Sequence, residues 1–420
     1  MCTASVKRYS AARNCRQDSV SETNVKIIDK VAFLVHEPVM YAHYSSVWAE
    51  MDRQAFVIVL LGSAARLDGQ ADERTRDFLN KLATLNYEVV SLDEIVRRKI
   101  KYRFVISNHI MGGSTTRPTQ FSREQQRQRS YRNWKWYVLN TARRAVGLPR
   151  KYTYEIDPLQ YLPLQAGIGQ IRFMYGADIS DGWSLDKWNE IYDLFLCHGV
   201  NDEREIKKRF KGETFIMGYP RYDGYFSGEM DLSRIKSEFG LSESRKTVLW
   251  MPTLGGEYSS IPLFAEPLLA LSEKYNLVVR PHPLSFVQEK EFISLLEDLN
   301  FKIDRNAVRD MNELFGVADV ILADNGGTPF SAIFLGRNVV FLEVPEAAST
   351  SYFAESSVVE LKNHLPVISH QDIHKLENML DSEEFYSENK RSVEALYKKY
   401  FDSPRGGGAK RVADLLGSLK

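Results

Sequence analysis

Cysteine is scarce: Cys2, Cys15 and Cys197 are the only three in 420 residues. They are too few and too scattered for a disulfide framework or a cysteine-based zinc site, and fit a reducing compartment. Net charge is also missing. With 55 basic and 55 acidic side chains, no global field draws the chain toward nucleic acid, and none is expected as a partner. Long apolar runs are absent too, since AFVIVLLG at 55–62 falls far short of the roughly 20 residues that span a bilayer. The first residues, MCTASVKRYSAARNCRQDSVSETN, lack the apolar core of a secretory signal. These absences point to a soluble, cytoplasmic chain with a disordered tail over 1–25. No GxxxxGK[ST] loop and no GxGxxG fingerprint occurs, which removes two common nucleotide-binding motifs. His364, His370 and His374 lie in a polar late region without metal-ligand spacing, so no metal is expected.

What the sequence does have is a rhythm. KVAFLV (30–35), AFVIVLLG, YEVVSL (87–92), YRFVISN (102–108), QIRFMYG (170–176) and YDLFLCHG (192–199) read as buried parallel strands. ADERTRDFLNKLATLN (71–86) supplies a helix between two of them, with Phe78, Leu82 and Leu85 on one face. The rhythm restarts with KTVLWMP (246–252), NLVVRP (276–281), NFKID (300–304), VADVILADN (317–325) and NVVFLEVP (338–345). The chain length suits two cores. The expected fold is α/β with two Rossmann-like lobes, 26–235 and 236–420, and a basic helical insertion over 110–165 in the first. Open α/β sheets bind ligands beyond the carboxyl ends of their strands, so a cleft between the lobes is the expected site.

The insertion has the most biased composition. Residues 117–151 hold ten Arg or Lys against one acid, Glu124. Tyr131, Trp134 and Val138 can share a helical face while the guanidinium groups snorkel outward. The stretch is a solvated basic helix with an ordinary packing stripe, a surface for anionic phospholipid or a phosphate-bearing acceptor, or an RNA surface, the last without any RNA-binding signature beside it. In the second case the protein sits peripherally at the cytoplasmic membrane face.

Four segments can carry chemistry. In RPHP, Pro281 and Pro283 stiffen the backbone around His282 at a strand end, and Arg280 can contact a phosphate or carboxylate on the same side. His282 can move a proton or stabilise phosphate charge; alternatively it caps a turn while Arg280 pairs with an acid. In ADNGGTP, a strand ends at Asp324, and Gly326, Gly327 and Thr328 open a helix whose free amides can cradle an anion, or they only make the turn. Asp324 orients a ligand group there, since a carboxylate repels phosphate. In MGYPRYD, Arg221 and Asp223 stand at the cleft mouth and either bridge the lobes or touch ligand. His198 ends the strand YDLFLCHG and serves either site or structure; His36, Glu37 and His109 are weaker candidates at other strand ends.

Taken together, KTVLWMPT, NLVVRPHP, MGYPRYD and ADVILADNGGTPFSAIFLGRNVVFLEVP resemble the CDP-glycerol glycerophosphotransferase family of teichoic-acid and capsule polymer synthesis. The resemblance covers roughly 165–420. It implies a GT-B-like fold, with an acceptor lobe first, a nucleotide-donor lobe second and a closing C-terminal helix. It also implies transfer of a polyol phosphate from a CDP-linked donor to a hydroxyl of a glycan or polyol-phosphate acceptor, with the nucleotide as substrate and no cofactor. On that pattern His282, Asp324 and His198 are the catalytic candidates. Arg280, Gly326, Gly327, Thr328, Arg221 and Thr253 are the donor-binding ones. Three elements of the family pattern are altered. Tyr175 stands where a histidine is expected, Leu254 and Gly255 replace a tryptophan and an arginine, and the serine hydroxyls after the aspartate are missing. A metal-independent GT-B glycosyltransferase using a nucleotide sugar, a sugar-nucleotide epimerase or hydrolase, and a non-catalytic scaffold of a surface-glycan complex are the alternatives.

Overall fold

A computed structural model describes residues 25–65, 73–109, 161–177, 185, 187–228, 230–306, 309–348 and 356–419. The tail and nearly all of the basic insertion, including 117–151, lie outside the described residues.

Seven strands form the first sheet: β1 (Lys26–Val35), β2 (Phe56–Leu60), β3 (Val89–Ser91), β4 (Ile100–Ser107), β5 (Gly167–Phe173), β6 (Leu194–Cys197) and β7 (Glu213–Ile216). Their order is β3-β2-β1-β4-β5-β6-β7, and every pairing is parallel. All of β2 and β6 and the second half of β1 are buried, which is why these runs carry no alternation of apolar and polar residues. Six strands form the second sheet: β8 (Thr247–Met251), β9 (Asn276–Val279), β10 (Lys302–Ile303), β11 (Val320–Ala323), β12 (Asn338–Leu342) and β13 (Val367–Ile368). Their order is β10-β9-β8-β11-β12-β13, again all parallel. Two parallel α/β sheets are what the alternating runs require. The order reverses between β1 and β4 in one sheet and between β8 and β11 in the other, so each sheet has its crevice at that point.

The lobes are tied together by backbone as well as by side chains. Helix Gly408–Ser418 returns to the first sheet, where Ala409, Val412 and Leu416 join its core. Asp223 anchors that helix, accepting from the amides of Gly408 (3.0 Å) and Ala409 (2.7 Å). This favours a helix N-terminus by charge and by direct bonding. Asp223 thus bridges the lobes. Gly199, at the start of helix Val200–Arg209, lies against the backbone of Tyr400 and Phe401, and the Val200 amide donates to the Phe401 carbonyl at 3.0 Å. Among the described residues, no helix is long and apolar enough to cross a membrane.

Candidate functional site

The second lobe's crevice is built from three adjacent strand ends. β8 pairs with β9 through Trp250 and Val279, and with β11 through Met251 and Ala323. Thr253, His282 and Asn325 lie in the loops that leave these three adjacent strands. After Asp324 the chain turns through Gly326, whose φ of 76° belongs to the left-handed region, and enters helix Thr328–Leu335 with Pro329 in its first turn. A Cβ on Gly326 would stand 3.3 Å from Thr253 Oγ1, while one on Gly327 would meet nothing within 4 Å. A hydroxyl, an open glycine and a helix N-terminus therefore converge, which is the geometry of an anion cradle.

Two buried carboxylates hold that cradle in shape. Asp324 has no exposed surface. Its carboxylate accepts from the amides of Thr253 (3.0 Å), Ser260 (2.8 Å) and Asn325 (2.6 Å). Burial raises its pKa against the pull of those bonds. Amides from two loops thus take up the oxygens of Asp324, which the sequence marks as a catalytic candidate. Glu289 fixes the other end of the loop after β8, accepting from the amides of Gly255 (2.9 Å) and Gly256 (2.6 Å) and from Ser285 Oγ (2.6 Å). Since Ser285 begins the short helix after His282, one carboxylate ties the histidine turn to the loop after β8.

His282 is partly exposed. Its Nδ1 accepts the Leu284 amide at 3.2 Å, so the neutral ring carries its proton on Nε2. Burial, with a smaller push from Arg280 and against the pull of Glu289, lowers its pKa to about 4. At neutral pH it is an uncharged hydrogen-bond donor. Arg280 is 5 % exposed and pairs with Asp304, its Nη1 lying 3.0 Å from Oδ2 and donating to the Asp304 carbonyl at 3.2 Å. Asp304 also accepts from Arg309 Nε at 2.8 Å. Arg280 therefore braces the base of the turn, and the alternative that it pairs with an acid describes what the structure contains.

The first lobe adds a second group. His198 is fully buried; its Nδ1 lies 3.0 Å from Asp202 Oδ2, its Nε2 has no partner, and its ring sits 4.2 Å from that of Tyr219. His198, a catalytic candidate in the sequence, therefore has no exposed surface in this arrangement. Tyr175, just past β5, is 39 % exposed and stacks on His43 of helix Tyr41–Glu50 at 4.5 Å. Arg221 Nη1 faces His43 Nε2 at 3.4 Å. Burial, then the charges of Arg221 and His198, hold His43 well below the usual imidazole pKa. Asn312 of the second lobe donates to the Arg221 carbonyl at 3.1 Å, so the turn that carries Arg221 packs against that lobe. At the first lobe's own crevice, His36 and Glu37 follow β1 while Asn108 and His109 follow β4. Burial, with His36 and Arg172 adding, lowers His109 to about 4.

Lys362, Glu289 and His43 were not legible as site residues. Lys362 donates to Asn325 Oδ1 at 3.1 Å beside the cradle, and burial lowers its pKa against Asp324 and Glu343. In the sequence it is one lysine in a polar stretch. No local motif distinguishes Glu289 or His43.

Two parallel α/β lobes with a shared cleft and a glycine cradle at the second switch point define a GT-B-like protein. A family profile described as CDP-Glycerol:Poly(glycerophosphate) glycerophosphotransferase matches residues 111–418. The chain belongs to that family. It is 28% identical over 168 residues to a teichoic acid glycerol-phosphate primase of Bacillus spizizenii (strain ATCC 23059 / NRRL B-14472 / W23), covering 37% of this chain and 42% of that protein. It is 29% identical over 141 residues to a teichoic acid poly(glycerol phosphate) polymerase of the same strain, covering 31% and 35%. The matched stretch spans less than half the length of either relative. The wall teichoic acid polymerase TagF superposes with a TM-score of 0.58 at 13% identity, over 93% of this chain and 88% of that one. At that identity the likeness establishes the fold.

Proposed function

We propose that the protein transfers a polyol phosphate from a CDP-linked polyol to a hydroxyl of a polymer acceptor. The acceptor oxygen attacks the distal phosphorus in line, a new P–O bond forms, and the bond to the bridging oxygen breaks. CMP departs with that electron pair, and the acceptor's proton passes to solvent or buffer. The observation that carries this reading is the state and placement of His282. Its Nδ1 is occupied by the Leu284 amide, so Nε2–H is free to donate to a non-bridging phosphate oxygen as charge builds in the transition state. Thr253, Gly326, Gly327 and Thr328 hold the diphosphate, with the Lys362 ammonium nearby to offset its charge. Asp324 and Glu289 keep these parts in register, and Arg280 braces the His282 turn. The second lobe thus serves the donor and the first the acceptor, with the basic stretch 117–151 available to an anionic membrane surface.

The test is CMP release from CDP-glycerol and CDP-ribitol, in parallel with nucleotide release from UDP- and GDP-sugars, by the full chain and by His282→Ala. Acceptor-dependent CMP release that the substitution lowers at least 100-fold supports transfer. Selective turnover of a nucleotide sugar overturns it in favour of glycosyl transfer.

A further inference from the structure

We propose that Asp304, a buried carboxylate just past β10, is a positioning residue that sets where His282 stands by holding Arg280. This deepens the transfer reading above and rests on it for the part His282 plays. The RPHP turn has few backbone bonds of its own, because Pro281 and Pro283 bring no amide hydrogen. Its first residue is tied to β8, the Arg280 amide donating to the Trp250 carbonyl at 2.8 Å. Its far end is tied through Ser285, whose amide donates to the His282 carbonyl at 2.8 Å and whose Oγ donates to Glu289 at 2.6 Å. The Arg280 side chain adds a third anchor, and Asp304 is what it grips. Nη1 lies 3.0 Å from Oδ2 and donates to the Asp304 carbonyl at 3.2 Å, while the Asp304 amide donates back to the Val279 carbonyl at 2.9 Å.

Asp304 is itself held from several sides. It has no exposed surface, and its Oδ1 accepts from Arg309 Nε at 2.8 Å and from the Asn306 amide at 3.1 Å. Arg309 is held in turn by Glu238, which accepts from its Nη1 at 3.1 Å at the end of helix Leu232–Glu238. Turning the carboxylate would break bonds to Arg280, Asn306 and Arg309 at once, so its place is fixed before any ligand arrives. A buried ion pair of this kind adds little stability over an apolar pair of the same shape, and its best-attested use is to specify one arrangement. Charge works in the same direction. The Arg280 cation disfavours a proton on His282 and Glu289 favours one, and Asp304 offsets that cation. Without the acid the imidazole would face an unbalanced charge as well as a looser turn.

Nitrogen NMR of the imidazoles at neutral pH tests the assignment in the full chain, beside steady-state kinetics with CDP-glycerol and a hydroxyl-bearing polyol-phosphate acceptor. Asp304→Asn, Arg280→Met and the double variant are compared with the unaltered protein. Each single substitution should move the His282 ring signals and leave in place those of His370 and His374, which follow β13 at the opposite edge of the sheet. Each should lower kcat about tenfold or more while donor KM stays within about twofold. In the double variant Asp304→Asn should add no more than about twofold to the effect of Arg280→Met, because the acid acts through the arginine. The proposal is overturned if Asp304→Asn leaves the His282 signals unmoved, if donor KM rises in parallel with the fall in kcat, or if Asp304→Asn acts as strongly beside Arg280→Met as alone. If Asp304→Asn does not fold by itself, Arg280→Met and the double variant decide: the two should match in signals and in kcat, and a difference between them overturns the assignment. An unaltered chain that turns over no CDP-polyol would overturn the transfer reading, while the His282 signals would still decide the role of Asp304.

Discussion

Replacing Gly199 with alanine should loosen the junction of the two lobes. An added Cβ would stand 2.3 Å from Phe401 Cα, 2.5 Å from its carbonyl oxygen and 2.7 Å from that of Tyr400. Ordinary carbon contacts lie near 3.5–4.0 Å, so two backbones must part by about 1 Å. Neither partner is a flexible side chain that can swing away. The φ of Gly199 is −166°, extended backbone that alanine adopts freely, so the whole effect is steric. Overpacking of this kind costs about 1–3 kcal/mol, and losing the bond from Val200 to Phe401 adds about 1 kcal/mol. For lobes of this size a loss of about 3 kcal/mol lowers Tm by roughly 6–12 °C. Differential scanning calorimetry measures it, with Gly176→Ala as the control, because a Cβ there meets nothing within 4 Å. A Gly199→Ala transition within about 1 °C of the unaltered protein would refute the reasoning, as would an equal fall in the control.

Glu289→Ala removes the acceptor of two loop amides and of Ser285 Oγ; at about 1 kcal/mol or more for each unpaired group, donor KM should rise at least tenfold, and Glu289→Gln should restore most of it in steady-state kinetics. Gly326→Ala forces a φ of 76° on a residue with a side chain, which costs about 1–2 kcal/mol in urea unfolding and should weaken CDP-polyol binding, while Gly327→Ala should leave stability unchanged. The lowered pKa of His282 means the folded chain resists a proton that the unfolded chain accepts. Its contribution to stability is complete above pH about 6.5 and is lost as pH falls toward about 4, close to 3 kcal/mol in all. His282→Gln should flatten the dependence of unfolding free energy on pH in that window, and an unchanged slope would show that the imidazole is not held neutral.

The fold was legible because central parallel strands must be continuous apolar runs, and AFVIVLLG, NLVV and VADVILAD could be little else. What escaped were the edges. β7 and β13 are short, and the ETFI of β7 is only partly buried, so neither needs a run that stands out. The basic insertion, prominent in the sequence, falls outside the described residues. RPHP and the glycine turn, which follow β9 and β11, could be read in the letters because proline stiffness and glycine freedom are backbone properties that spacing reveals. Side-chain roles were less visible. Nothing in the letters distinguishes an Asp324 that grips three amides from one that meets a ligand, since the partners Thr253 and Ser260 lie on another strand's loop. His43 meets Tyr175 and Arg221 across long stretches of chain, and only the folded arrangement of helix, β5 end and interlobe turn brings them together.

Under the proposed reaction a phosphorus–oxygen bond, and not a glycosidic bond, is made between donor and acceptor. The most direct measurement is phosphorus NMR of a hydroxyl-bearing polyol-phosphate acceptor after incubation with CDP-glycerol and the full chain, beside His282→Ala. A new phosphodiester signal should grow in step with CMP and be absent from the variant. Nucleotide release without a new phosphodiester, or acceptor modified only when a nucleotide sugar is supplied, would contradict it.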